Sequence, residues 1–260
     1  MIDLLRRWAN SSVFLGCVSI AGVALLWQLA VTIFPIPSYL LPSPLEIGSV
    51  MVSRFELQTT HALVTLREIL LGFALAVLIG VPLAVGITFV PVFEKLFYPI
   101  LVATQAIPKV AVAPLFLVWF GFGEAPKVAM ATVIAVFPII IDTAVGLRAI
   151  DPDMVRLAKS MRAGSLKTFW KVRLPIALPS IFAGLKMAMT FAVIGAVVGE
   201  FVAGQSGLGY LIQAATGSLQ TEVAFASIVY LSFIGIVLFF IVEAFERFFV
   251  PWHRSTDRLY

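Results

Sequence analysis

Six apolar runs, each about as long as a bilayer is thick, decide what this chain can fold into. They cover residues 13–34, 62–90, 92–120, 127–147, 179–203 and 223–249. A helix rises about 1.5 Å per residue, so about 20 apolar residues cross a hydrocarbon core of roughly 30 Å. In that core every backbone N–H and C=O must be paired, which leaves helices and closed barrels. The runs are continuously apolar rather than alternating, which excludes a barrel. Composition agrees: 61% of the 260 residues are hydrophobic, 12% are charged, and mean hydropathy is +1.05. A soluble domain carries about a quarter charged residues. The reading is an all-α polytopic membrane protein with about six transmembrane helices.

The connections set its orientation. Residues 1–12 carry Arg6 and Arg7 ahead of the first run, which is too long for a signal peptide and ends without a small-residue cleavage site. With six spans both termini share one side. That side holds Arg6, Arg7, Lys95, Arg148, Arg156, Lys159, Arg162, Lys167, Lys171, Arg173, Arg247, Arg254 and Arg258. The opposite connections hold Arg54, Lys109 and Lys127, so the bias is thirteen against three. Short cytoplasmic loops carry the excess of Lys and Arg. Residues 1–12 and 251–260 are therefore expected in the cytoplasm, flanking a membrane domain over 13–250. The net charge of +4 comes from cations crowded at span ends and signals no nucleic-acid partner.

Several local features bear on the path through the membrane. Ser43, Pro44 and Glu46 form a capping box with proline at the first helical position, predicting a short helix over 44–55. Arg67 and Glu68 stand near the start of the second span, where Arg67 can snorkel to the interface. Pro91 breaks the chain, and Glu94 with Lys95 reads as a tight turn. Pro99, Pro108 and Pro114 interrupt the third run, with Gln105 and Lys109 near its middle. Proline removes a backbone donor and kinks a helix. Irregular backbone at membrane depth belongs inside protein or beside a water-filled cavity, so Gln105, Pro108 and Lys109 are candidates for a pathway. Asp142 and Glu200 are acids within spans. Glu200 is either a carboxylate hydrogen-bonded inside the bundle or a pathway or gate residue. Gly207, Leu208 and Gly209 lie in a connection without Lys or Arg, read as an extracytoplasmic turn or a partner contact.

Between the fourth and fifth runs lies the one long basic interruption, residues 151–175, part of a loop over 148–176. Asp151 suits an N-cap, Pro152 the first helical position, and Asp153 the positive end of the helix dipole. Met154, Leu157, Ala158 and Met161 then fall on one stripe. Ala163 and Gly164 end this helix, and Ser165 can cap a second one that Pro175 closes. Such a hairpin rests on anionic headgroups or docks its Met/Leu stripe in a partner's groove.

No catalytic constellation accompanies these features. The chain has no G-x-x-x-x-G-K-[ST], no H-E-x-x-H and no G-x-S-x-G. Its one cysteine and its separated His61 and His253 make no metal site, and no cofactor is expected. An intramembrane enzyme needs converging reactive groups, and Asp142 and Glu200 sit on different spans. An enzyme is not expected.

The loop from Met154 through Pro175, continuing to Lys186, resembles the cytoplasmic signature loop of bacterial ABC importer permeases. The family pattern is E-A-A, three residues, G, nine residues, I-x-L-P. Here Arg156 stands at the glutamate position, Leu157 and Ala158 at the alanines, Arg162 at the glycine, and Val172 at the isoleucine, while Leu174 and Pro175 match. The resemblance extends over 41–253: LPSP at 41–44, the proline-rich run 107–127 with FGFGEAPK, GAVVGEF at 195–201 and SGLGYLI at 206–212. It points to the nitrate, sulfonate and taurine branch, which includes permeases for thiamine pyrimidine precursors and riboflavin.

The resemblance implies a type I ABC importer permease fold in a bacterial inner membrane. It also implies a second permease subunit (a homodimer), two ATP-binding subunits and an extracytoplasmic solute-binding protein. The first loop helix is then the coupling helix, and Met154, Arg156, Leu157, Ala158, Met161, Arg162 and Gly164 are its ATPase-facing residues. A pyrimidine precursor or riboflavin is the preferred solute. Sulfonate, taurine or nitrate is the alternative. A self-sufficient secondary transporter is the reading of a different class.

Overall fold

The structure, a computed structural model, describes residues 12–34 and 36–252. Among them the regular elements are all helical. In chain order they are α1 (Ser12–Ile33), α2 (Pro44–Ser53), α3 (Phe55–Phe89), α4 (Pro91–Ala106), α5 (Lys109–Phe120) and α6 (Glu124–Arg148). After these come α7 (Pro152–Ser160), α8 (Ser165–Thr168), α9 (Leu174–Ala203), α10 (Leu208–Gly217) and α11 (Thr221–Phe249). Four stretches are long and apolar enough to cross a membrane: α3, α6, the run Ser165–Ala203 that contains α9, and α11. The bent pair α4 and α5 makes a fifth if it is one span, and within the first expected run the apolar stretch Val18–Ile33 is shorter than a span. Arg6, Arg7, His253, Arg254, Arg258 and most of the two expected tails lie outside the described residues.

The chain divides into two compact units, Met1–Thr60 with Leu211–Tyr230 and His61–Tyr210 with Leu231–Tyr260. In the first unit the capping box predicted for α2 is present on both arms. The Glu46 N–H donates to Ser43 Oγ at 3.2 Å, and the Ser43 N–H donates to the Glu46 carboxylate at 2.7 Å. A small apolar core of Leu211, Ala215, Val223 and Ala224 packs with Val50 and Ile212. Buried Gln58 is satisfied from both ends: its Nε2 donates to Val223 O at 3.4 Å and its Oε1 accepts from Ser227 Oγ at 3.0 Å.

The second unit is built on α6 against α9. Lipid tails are as apolar as leucine, so membrane helices gain little by burying apolar surface against each other; close packing of small residues holds them instead. The sequence supplies those residues. A Cβ on Gly195 would lie 2.6 Å from Ala131 Cα, and one on Gly199 would lie 2.7 Å from Lys127 Cα. Toward the other end, a Cβ on Gly146 would meet Ser180 Cβ at 2.6 Å. Around this seam Ala131, Ala135 and Ile139 of α6 pack with Phe182, Ala188, Ala192 and Ala196 of α9, joined by Ile69 and Ala76 of α3 and Leu238 and Val242 of α11.

Three local expectations are corrected. Glu94 and Lys95 do not form a tight turn: Pro91 starts α4, the break falls at Val90, and both residues lie in the new helix. Proline at the first helical position lacks only an N–H that would be unpaired there anyway. Pro175 does not close the second hairpin helix. A π-helical turn over Phe169–Arg173 carries the backbone from α8 into α9, so the fifth span starts at Leu174 and takes Pro179 into its interior. The ring and missing donor of Pro175 fall in the first turn of α9. Finally, Gly164 rather than Ser165 is the N-cap of α8, and it makes no side-chain hydrogen bond.

Candidate functional site: the loop hairpin and a buried charge network

Two places carry the polar chemistry of the second unit, and they lie at opposite ends of α6. At its C-terminal end, Asp151 Oδ1 accepts the Asp153 N–H at 2.8 Å, the N-cap contact its side chain predicts. Helix α7 and the turn that ends it then present Met154, Leu157 and Met161, which are 47%, 58% and 76% exposed. Ala158 separates from this stripe and is buried. Arg156 is exposed beside Asp153, and Gly164 is exposed at the start of α8. Beyond the turn, Leu166 and Trp170 are also exposed.

The end of α7 explains one departure from the family pattern. The Met161 N–H donates to Leu157 O and the Ala163 N–H reaches back to Ala158 O at 3.0 Å, the six-to-one bond of a Schellman cap. The residue between them, Arg162, has φ 57°. That left-handed conformation is where glycine normally ends a helix, and a side chain there meets the carbonyl. Arginine keeps the backbone geometry that glycine would serve.

At the N-terminal end of α6 lies a buried polar network. Lys127 Nζ lies 2.6 Å from Glu68 Oε1, with both side chains buried, and also donates to Ser206 O at 3.2 Å. Glu68 Oε2 has no hydrogen-bond partner among the described residues. Glu200 is fully buried: its Oε1 accepts from Thr65 Oγ1 at 2.6 Å, and its Oε2 accepts the Gly209 N–H. Thr65 Oγ1 in turn accepts the Leu208 N–H at 2.8 Å. Glu200 and Thr65 together hold the first N–H groups of α10, which have no partner inside the helix. Gly207 precedes it at φ 109°, where a Cβ would collide with the Glu200 carboxylate. Glycine alone fits.

His61 completes the turn. Its Nδ1 accepts the Gly207 N–H at 3.0 Å and its ring stacks on Tyr210 at 6.0 Å between centroids. It is a satisfied histidine, and among the described residues no group of His, Cys, Asp and Glu could hold a metal. Outside the network, Arg67 Nε meets Glu124 Oε1 at 2.9 Å on the rim of a polar cleft of about 250 Å³ floored by Glu68 and Lys127.

The structure therefore sorts the expected residues. Glu200 is brought to the turn Gly207, Leu208 and Gly209, and its hydrogen-bond partners are Gly209 and Thr65 rather than Gln105 or Lys109. Gln105 is exposed, Pro108 is the N-cap of α5, and Lys109 Nζ sits 4.2 Å from the centre of the Phe137 ring. Sequence reasoning missed the Glu68–Lys127 pair, counting Lys127 as a loop cation. The readable signal was two charged pairs, Arg67 with Glu68 and Glu124 with Lys127, at the starts of two spans.

Residues 76–254 match the family described as the binding-protein-dependent transport system inner membrane component. Among curated relatives, the riboflavin transport system permease protein RibX of Chloroflexus aurantiacus is 37% identical over 92% of this chain and 90% of its own length. The formylaminopyrimidine transport permease protein ThiX of Halalkalibacterium halodurans is 35% identical over 88% of this chain and 92% of its own. Of solved structures, the MetNI methionine ABC transporter in an inward-facing conformation aligns with a TM-score of 0.66 at 20% identity, covering 76% of this chain and 98% of that one. That likeness establishes the fold, the type I importer permease bundle. Proteins of this family are transport components that work with ATPase subunits and a binding protein and are not themselves enzymes. The match over most of its length makes this chain a multi-pass inner-membrane component of a binding-protein-dependent transport system, an ABC importer permease subunit.

Proposed function

We propose that the chain forms the translocation pathway for a small organic solute handed over by a solute-binding protein, and that α7 is the helix through which an ATPase subunit moves the bundle. The observation that carries the reading is the apolar stripe Met154, Leu157 and Met161, exposed on a short helix held between two long spans. An exposed stripe of this kind is what a helix laid in a partner's groove needs. Arg156 and Arg162 stand where the family pattern has Glu and Gly, so the receiving groove carries compensating acids or differs in shape.

The assembly is a pair of identical permease subunits with two ATPase subunits, both termini in the cytoplasm. Gln105, Pro108 and Lys109 line the pathway at the break between α4 and α5, where helical pairing stops. Glu200 acts at the outer gate by holding the turn Gly207, Leu208 and Gly209, which faces the binding protein.

The solute is a thiamine pyrimidine precursor or riboflavin, supported by the similarity to ThiX and RibX along nearly the whole chain. Sulfonate, taurine or nitrate is less favoured, because the pathway candidates include one cation, Lys109, rather than the cluster an inorganic or sulfonate anion calls for. The test is reconstitution of the chain with its ATPase and binding protein in proteoliposomes, assaying uptake of labelled formylaminopyrimidine, riboflavin and taurine. ATP-dependent uptake of either of the first two supports the reading. Uptake by this chain alone, driven by an ion gradient, replaces it with a secondary transporter.

A further inference from the structure

Where the loop hairpin meets the ends of α3 and α6, the second unit has a cleft of about 400 Å³. Its polar lining is dominated by three arginines, Arg148, Arg156 and Arg173, with Thr88 beside them and no carboxylate among the lining residues. The arginines come from three separate places: the last turn of α6, the exposed face of α7, and the π turn that opens α9. Arg173 is held in place by the face of Phe89, its guanidinium carbon 4.8 Å from the ring centre, and among the described residues it has no carboxylate partner. Two of the three arginines already carry an exposed ion pair through one Nη2, which leaves their other guanidinium N–H groups for a ligand. Glu94 pairs with Arg148 at 3.1 Å, Asp153 with Arg156, and Asp151 accepts the Asp153 N–H. Leu147, Ile150, Pro152 and Val155 make the rest of the wall apolar.

We propose that this cleft binds the headgroup of an anionic phospholipid, its phosphate held among Arg148, Arg156 and Arg173. Three features carry the assignment. The guanidinium fork matches phosphate geometry with two parallel hydrogen bonds. The cleft lies at the ends of α3 and α6, both helices long and apolar enough to cross a membrane, and span ends are where headgroups are met. Its volume falls in the roughly 300–1,000 Å³ range of small-molecule sites, and its mixed wall suits a group with a charged head and an apolar tail. Basic clefts between membrane helices take anionic headgroups on the cytoplasmic side. Only the choice of leaflet rests on the orientation proposed above. A lipid held here joins α7 to the ends of α3 and α6, so it stiffens the hairpin that the ATPase must move.

The test is native mass spectrometry of the full-length chain in detergent, titrated with phosphatidylglycerol or with phosphatidylcholine of the same acyl chains. Wild type is expected to retain phosphatidylglycerol adducts preferentially. R148Q/R173Q is expected to lose that preference roughly tenfold or more, and R148K/R173K to keep most of it. K167Q, outside the lining, should match wild type and controls for loss of surface charge. Circular dichroism and gel filtration check that each variant is folded. Equal retention of the two lipids, or a preference unchanged in folded R148Q/R173Q, overturns the proposal. Displacement of the lipid by millimolar inorganic phosphate, with phosphate adducts remaining, also overturns it by assigning the site to a free anion. None of these readouts involves transport, so their failure leaves the permease reading standing.

Discussion

Lys127 Nζ lies 2.6 Å from Glu68 Oε1 in the interior of the second unit, and neither side chain reaches solvent. Breaking a buried pair by removing one partner leaves an uncompensated charge and costs about 3–5 kcal/mol, while replacing both is far milder. Lys127→Gln should therefore lower the thermal midpoint sharply in detergent. Glu68→Gln with Lys127→Gln should recover most of the loss, since the two effects are coupled. Equal and additive losses in the two single variants would contradict the pairing.

The Thr65 hydroxyl donates to Glu200 at 2.6 Å, accepts the Leu208 N–H, and lies 3.2 Å from His61 O. Thr65→Val keeps the shape and strands a buried carboxylate oxygen and a buried N–H. The expected cost is about 1–3 kcal/mol per group left unsatisfied. Hydrogen exchange at Leu208 and Gly209 should accelerate before the rest of the bundle loosens. Uniform exchange across the chain would argue against a local role.

At Arg162 the backbone, not the guanidinium, sets the constraint. Left-handed geometry costs a side chain roughly 1–2 kcal/mol, and glycine escapes that but gains freedom when unfolded. Arg162→Gly should therefore be neutral or slightly stabilising. Arg162→Val, branched at Cβ, should be destabilising by at least as much as the left-handed cost. Chemical denaturation of the three chains ranks them, and Val equal to Arg would contradict the Schellman cap.

Glu46 gives a pH dependence with a definite sign. The Ser43 backbone N–H, first among its hydrogen bonds, holds its carboxyl below the usual carboxylate value, and Ser38 adds to this. A folded-state value below the unfolded one means the stabilisation is complete above the unfolded value and is lost as pH falls through the folded one. Limited trypsin cleavage at Arg54, at the end of α2, should rise on acidification through that window in wild type. In Glu46→Gln it should be flat.

How much of this was legible in the sequence follows from which forces act locally. The spans and the capping box at Ser43 could be read because apolar length and cap chemistry are decided within a few residues. The N-cap at Asp151 was legible for the same reason. The continuation through Pro175 was not, because a π turn lets a helix absorb what a regular turn cannot. Nor was the Glu68–Lys127 pair, 59 positions apart, whose formation depends on α6 approaching α3 closely enough for Gly72 to contact Ala131. Glu200 was singled out as an intramembrane acid, but its use in holding a turn nine residues ahead depends on how the chain reverses at Gly207.

The coupling role proposed for α7 is tested directly by one double substitution. L157D/M161D places two carboxylates on the exposed stripe without touching the membrane helices, both side chains being largely solvent-facing. Reconstituted with its ATPase and binding protein, the double variant should show solute uptake reduced to background while ATP hydrolysis continues without stimulation by the loaded binding protein. Wild-type uptake with normal stimulation of hydrolysis would contradict the coupling role of this helix.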